Sequence, residues 1–303
     1  MKLTNKLQQN MRGILTDDKA QQIMSDFKPY YDLHGMNAKY LYTNALQAAA
    51  FYHFSDMDGN WNGLTVSDVF GNEEIKIGYV NGWLNTSQNM VKVFIVLSFV
   101  IILLIASIFF GEYSGVDNII LTSRYGKTNC ATAKVMASLI SAIFITLLVV
   151  AFNLTFAFLV YGNEGLDCSI LFALIEFSEG YIPFNIICGT LLKYQILLAF
   201  LSAIGVTGIT LILSAVCKNQ MIVFVVSATL HVIPMVLPIS ETNALYRVIV
   251  LSPLYYSQYI SIMSVEQKKN GMLYAVWAIP VAIILAIVGS LISHRVFAKH
   301  QVS

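Results

Sequence analysis

Apolar and polar positions are unevenly distributed along the 303 residues of this chain. The first 92 residues mix short apolar clusters with acids, lysines and turn formers. Beyond them come long runs free of Asp, Glu, Lys, Arg and His. Crossing about 30 Å of hydrocarbon takes about 20 helical residues. Five runs qualify: 93–111, 135–163, 194–217, 219–240 (interrupted only by His231) and 270–293. A further uncharged stretch, 248–265 (VIVLSPLYYSQYISIMSV), is broken by Pro253 and dotted with Ser252, Ser257, Gln258, Ser261 and Ser264. It reads as a re-entrant or interfacial element, because backbone freed at such a break must find its partners in protein rather than lipid. Segment 180–192 is too short to span and is placed on the same side. The predicted fold is all-α: a polytopic transmembrane helix bundle of five spans over residues 91–303, with residues 1–90 as a small, mostly helical extramembrane segment.

Within that head, Thr16 followed by Asp17 and Asp18 is a helix-start signal, and Ala20, Ile23, Met24 and Phe27 then recur at helical spacing. A second helix is expected from Met36 to about Tyr52, with Tyr40, Leu41, Ala45 and Ala48 on one stripe. The patch DMDGNWN, 56–62, has the look of a calcium loop but fails as one. Such a loop needs Gly sixth and a carboxylate twelfth, where Trp61 and Ser67 stand. It reads as a solvated turn.

Composition strengthens the membrane assignment, since 57% of residues are hydrophobic and only 12% charged, against about 25% charged in soluble domains. A net charge of +1 supplies no field for nucleic acid, which is excluded as a partner. The remaining charges orient the bundle. If the first span enters from outside, the inner loops hold Arg124, Lys127, Lys134, Lys218, Arg295 and Lys299 against Glu112 and Asp117. The outer loops hold Lys193, Arg247, Lys268 and Lys269 against Glu164, Asp167, Glu176, Glu179, Glu241 and Glu266. The excess of Lys and Arg therefore favours an outside head and an inside C-terminus. The head would then have to cross the membrane, yet Met1 to Asn10 has no apolar signal region. Either the head stays inside, or a further span precedes it; the charge balance favours the second.

The most informative stretch follows the first span: GEYSGVDNIILTSRYGKTNCATAK, 111–134. A helix from Glu112 gathers Tyr113, Val116, Ile119 and Ile120 within about 120° of its circumference. Asp117, Asn118 and Thr122 point away, and Glu112 lies near the stripe's edge. This is an amphipathic helix at the inner surface, over 112–125. On these residues alone it is equally an ordinary interfacial helix whose Arg124, Lys127 and Lys134 obey the positive-inside rule. Gly126-Lys127-Thr128 is not a phosphate loop, because that loop needs a glycine five positions earlier and a preceding strand. Leu121 stands there. ATP is thus not expected to bind this chain.

Glu112, Gly115, Leu121, Ser123 and Gly126-Lys127, between one membrane helix and another beginning near Lys134, resemble the first cytoplasmic loop of ABC-2 type transporter permeases. The resemblance covers about residue 78 to the C-terminus. It implies that 112–125 is a coupling helix contacting a separate ABC ATPase subunit through Glu112, Tyr113, Gly115, Val116, Ile119, Ile120 and Arg124. It also implies a re-entrant hairpin before the last span, where SPLYYSQY lies. Six spans are expected in such a permease, the first upstream of the head. Two ATPase subunits carrying ATP and Mg would drive two permease chains, as a homodimer or a heterodimer with a related chain, in a bacterial cell membrane. The cargo implied is an antimicrobial peptide or lipid-like compound. The competing reading is a non-transporting membrane sensor or immunity protein for peptide antibiotics.

Other residues carry less. His231 is expected to be a neutral, hydrogen-bonded packing residue and Asn153 an interhelical hydrogen-bonding one. Enzymatic chemistry is not expected, because these are the notable polar groups inside the spans and the paired Glu73-Glu74 lie in the head. The four cysteines lack metal spacing. Cys168 and Cys188 share one outer loop, as a disulfide or as two buried thiols.

Overall fold

The computed structural model describes residues 13–22, 25, 63, 65, 67–68, 71–78, 80–110, 126–170, 186–217, 219–236, 244–249, 251–256 and 274–299. Its long elements are helices: α1 (Asn81–Ala106), α2 (Gly126–Tyr161), α3 (Cys188–Val216), α4 (Gln220–Val236), α5 (Ala244–Ile249), α6 (Pro253–Tyr256) and α7 (Tyr274–Lys299). Two short strands, β1 (Gly13–Ile14) and β2 (Lys76–Ile77), accompany them. Among the described residues four helices, α1, α2, α3 and α7, are long and apolar enough to cross a membrane. The chain is a mostly helical, polytopic membrane protein.

The helices do not begin where the uncharged runs begin. α1 starts at Asn81 and carries Lys92, while α3 starts at Cys188 and carries Lys193. Lys193, expected in an outer loop, is instead in the second turn of α3. Both lysines are exposed, and a lysine near the end of a span can carry its charge to a polar layer while its stem lies along the helix. A charge-free run therefore misses the first turns of α1, α2 and α3 and the last turn of α7. α2 has 36 residues, about 54 Å at 1.5 Å each, well beyond the hydrocarbon thickness of about 30 Å.

The described residues fall into two compact units. The first draws on Met1–Asn89, Asn153–Tyr194 and Met263–Met272, the second on Met90–Phe152, Gln195–Ile262 and Leu273–Ser303.

In the first unit, β1 and β2 pair antiparallel, Gly13 opposite Ile77 and Ile14 opposite Lys76. Leu15, Ile75 and Ile77 are buried whereas Ile14 and Lys76 are exposed, the two-residue alternation of a half-buried strand. Thr16 then caps a helical turn at 17–22, its Oγ1 accepting from the Lys19 N–H at 3.3 Å. The other edge of β2 is used as well, the Lys76 carbonyl accepting from Ser169 N–H at 2.7 Å. Ser169 bridges Ile187. The mostly helical expectation for the head contains none of this pairing, because two-residue strands leave no readable periodicity and their partners lie far away in sequence. α2 ends at Gly162, whose φ of 64° is the left-handed conformation that stops a helix and favours glycine. The turn that follows places the Glu164 carbonyl 2.8 Å from Trp83 Nε1, which donates to it. The Trp83 ring meets Phe158 edge-on at 4.9 Å.

Of the four long helices α3 is the most enclosed, with 61% of its most apolar stretch buried against 28% for α2 and for α7. In the second unit the packing is helix on helix. α1 buries Met90, Phe94, Leu97, Ile101, Ile102 and Ile105, a stripe of three- and four-residue steps, and exposes Val96, Val100, Leu103 and Leu104. Hydroxyls inside the helices bond to their own backbone. Ser98, Thr146 and Thr207 each donate to the carbonyl four residues back, at 2.7–2.9 Å, which satisfies them without water. α3 and α7 cross at glycines: a Cβ on Gly208 would meet the Leu285 carbonyl, and one on Gly289 would meet the Gly208 backbone. α4 is capped by Asn219, whose Oδ1 accepts from Met221 N–H at 2.8 Å. The break expected at Pro253 is present, with α5 ending at Ile249 and α6 opening at Pro253. α6 packs against α4 and α7 and buries Leu254. Residues 257–265 of that stretch lie outside the described residues.

Candidate functional site

The residues that the sequence nominates for contact with an ATPase are Glu112, Tyr113, Gly115, Val116, Ile119, Ile120 and Arg124. All lie outside the described residues, as does the whole of 111–125. The structure does describe both flanks of that stretch, the last turn of α1 and the first turns of α2.

At the end of α1 the backbone tightens. Ile108 N–H donates to Ile105 and Phe110 N–H to Ser107, at 3.0 and 3.2 Å. A helix end leaves carbonyls without intrahelical donors, and it attracts cations. Two side chains from other helices meet that need. Ser214 of α3 donates its Oγ hydrogen to the Ala106 carbonyl at 3.1 Å, and Lys134 of α2 donates through Nζ to the Ile108 carbonyl at 2.6 Å. The ammonium also stands 5.4 Å from the ring centre of Phe109 and 5.5 Å from that of Phe297 on α7, inside the range of cation–π attraction. Phe109 and Phe297 are themselves in contact, centres 4.9 Å apart, and both are buried. The end of α1, α2 and α7 thus meet at one half-buried lysine, and α3 reaches the same helix end through Ser214. Lys134 fixes where the chain leaves α1 and where α2 takes it up again, eight residues after Gly126.

From the sequence Lys134 was legible only as one more inner positive charge. Phe109, Ser214 and Phe297 gave no signal at all, since an aromatic or serine at a helix end is common and their meeting depends on how three distant helices pack.

A second polar feature lies between α3 and α4. Thr210 and Ser227 share a buried hydrogen bond of 2.8 Å. One turn beyond Ser227, His231 is 1% exposed. Its burial fits the packing role expected of it. The hydrogen bond expected with that role is not found at Nε2, which has no partner among the described residues. Asn153 is half-buried on α2. Glu73 and Glu74 are exposed just before β2 and are not part of an enclosed site. Among the described residues no group of three or more His, Cys, Asp or Glu side chains is arranged to hold a metal.

Cys168 and Cys188, read from the sequence as a loop pair, are neighbours. The Cys188 N–H donates to the Cys168 carbonyl at 2.9 Å. Both are thiols here, Cys188 buried and Cys168 half-buried.

Compared with family models, with curated proteins and with solved structures, the chain matches none of them.

Proposed function

We propose that this chain is the membrane-spanning permease subunit of an ATP-driven exporter of the ABC-2 type, working with a separate ATPase. The observation that carries the reading is the Lys134 junction. An amphipathic stretch that must pass force from a partner into the membrane needs rigid attachment at both ends, and 111–125 is flanked by two helices tied to each other through the Ile108 carbonyl. The positive-inside balance puts this junction on the inner face, where an ATPase is reached. α4 is the fifth span in this reading. Its 17 residues rise about 26 Å, close to the hydrocarbon thickness. Residues 1–90 lie outside in this reading. ATP closure of two nucleotide-binding subunits would move the coupling helices and rearrange the spans by rigid-body shifts. ATP and Mg belong to the partner, and this chain supplies no catalytic residue. The cargo class proposed is an amphipathic peptide or lipid-like compound.

The test is capture of the ATPase per mole of folded permease for wild type, Ile120→Asp and the polar-side control Asn118→Asp. Burying an unpaired carboxylate in a contact costs on the order of several kcal/mol, so Ile120→Asp should lose the ATPase and cargo-stimulated hydrolysis together. Full retention of both would remove the coupling assignment. A permease that never captures an ATPase would favour the non-transporting sensor. For topology, a cysteine probe placed at Asn60 should label from outside intact cells and one at Ser303 should not.

A further inference from the structure

We propose that Cys168 and Cys188 form a dithiol site that closes to an intrachain disulfide when it meets an oxidant of the disulfide class. The inference concerns the first unit alone and does not depend on the export reading.

The backbone sets the geometry. Ser169 and Ile187 form an antiparallel bridge, flanked by Ile170 N–H to the Ile186 carbonyl at 3.0 Å and Cys188 N–H to the Cys168 carbonyl at 2.9 Å. Stepping one residue back on one side and one forward on the other makes Cys168 and Cys188 directly opposed, at a position joined by a hydrogen bond. One bond joins the two residues, since the Cys168 N–H turns back to the Gly165 carbonyl at 3.2 Å; that single bond keeps the two backbones in contact, as a disulfide requires of Cα atoms about 4.4–6.8 Å apart. Cys168 is further held from behind, because its Sγ lies against the backbone of Gly78, in the space a Cβ there would occupy.

Exposure orders the steps. Cys168 is half-buried and Cys188 fully buried, so the Cys168 sulfur, having released its proton to water, attacks one sulfur of the oxidant. The oxidant's S–S bond breaks, a mixed disulfide forms on Cys168, and one thiolate leaves and takes up a proton. The Cys188 sulfur, its proton likewise lost, then attacks the Cys168 sulfur. The Cys168–Cys188 bond forms and the second thiolate leaves. Two cysteine thiols are oxidised to one disulfide, and the oxidant's disulfide is reduced to two thiols. The bond would join the turn after α2 to the first residue of α3.

The experiment treats the full chain in detergent with oxidised glutathione. Acid quenching, denaturation, alkylation with N-ethylmaleimide and non-reducing peptide mass spectrometry follow. The expected product is a Cys168–Cys188 linked peptide pair, with Cys130 and Cys217 recovered as alkylated thiols. With free glutathione kept at or below about a tenth of a millimolar it should exceed the glutathione adduct on Cys168 by about tenfold, because a neighbouring thiol acts at an effective concentration on the order of millimolar. In Cys188→Ser the reaction should stop at that adduct. A wild-type chain that accumulates the Cys168 adduct while Cys188 is alkylated overturns the proposal, and so does linkage of either residue to Cys130 or Cys217. The wild-type product ratio decides the matter even if Cys188→Ser fails to fold.

Discussion

Replacing Lys134 by Met removes one charge and leaves a side chain of similar length, so it isolates what the ammonium contributes where four helices meet. Its hydrogen bond to the Ile108 carbonyl, 2.6 Å long, is of the charge-assisted kind that contributes about 1.5–3 kcal/mol. The two ring contacts at 5.4 and 5.5 Å add about 0.5–1 kcal/mol each at partly exposed sites. Lys134 is half-buried, so water screens part of this and rehydrates part of the freed carbonyl. Methionine also recovers some contact with Phe109 and Phe297. A net loss of about 2 kcal/mol is expected. In one detergent and at one scan rate this corresponds to a thermal midpoint about 4–8 °C lower. Lys134→Arg keeps the charge and a donor over the rings and should fall by less than half as much. Lys193→Met, on an exposed position of α3, should stay within about 0.5 kcal/mol of wild type. If Lys134→Met melts with the wild type, the lysine is not holding the helix ends together and the junction loses its mechanical meaning.

The glycine crossing predicts that Gly208→Ala and Gly289→Ala each cost about 1–3 kcal/mol through overpacking, with a double variant costing less than the sum because both disturb one contact; unchanged midpoints in both would contradict the backbone approach. Trp83→Phe keeps the ring against Phe158 but removes the donor to Glu164, so stability should fall by about 1 kcal/mol, read from the same melts; no loss would mean that water replaces the bond fully. The Asp68 carboxyl is held below the usual carboxylate range by the Thr65 hydroxyl, and next by the Thr65 N–H. A folded-state value below the unfolded one means that its contribution is present above the unfolded value of about 3.9 and is lost as pH falls through the folded one. Titrating Asp68 by NMR in wild type and Thr65→Ala should therefore show its midpoint rise in the variant, and an unmoved midpoint would refute the assignment.

Hydropathy carried the membrane character of the chain and the cores of its four long helices, because lipid selects against charge over a length any reader can count. It misplaced helix ends wherever a lysine at the polar boundary was taken as an interruption, as with Lys92 and Lys193. The capping role of Thr16 could be read, since it depends on three neighbouring residues. The β1–β2 pairing and the Ser169–Ile187 bridge could not, because each joins segments whose local sequence specifies nothing about the other. The same applies to the Lys134 junction. Its lysine was noticed for its sign alone, whereas Phe109, Ser214 and Phe297 acquire their roles only by convergence. Gly208 and Gly289 left a fainter trace, as small residues in spans otherwise rich in bulky ones; which helix each would approach was not encoded locally.

The meeting of Gly208 with Leu285 and Gly289 constrains how α3 and α7 can move. Most helix pairs are separated by side chains that act as a compliant layer, changing rotamer as one helix slides past the other. Here main chain lies on main chain, and main chain has no rotamers to change. A shift of α7 along its own axis would drive the Leu285 carbonyl or a neighbouring side chain into the Gly208 gap, whereas a rotation about the line joining the two glycines leaves the contact distance unchanged. The crossing therefore behaves as a pivot: it permits the angle between α3 and α7 to open and close but resists a one-turn ratchet of either helix against the other.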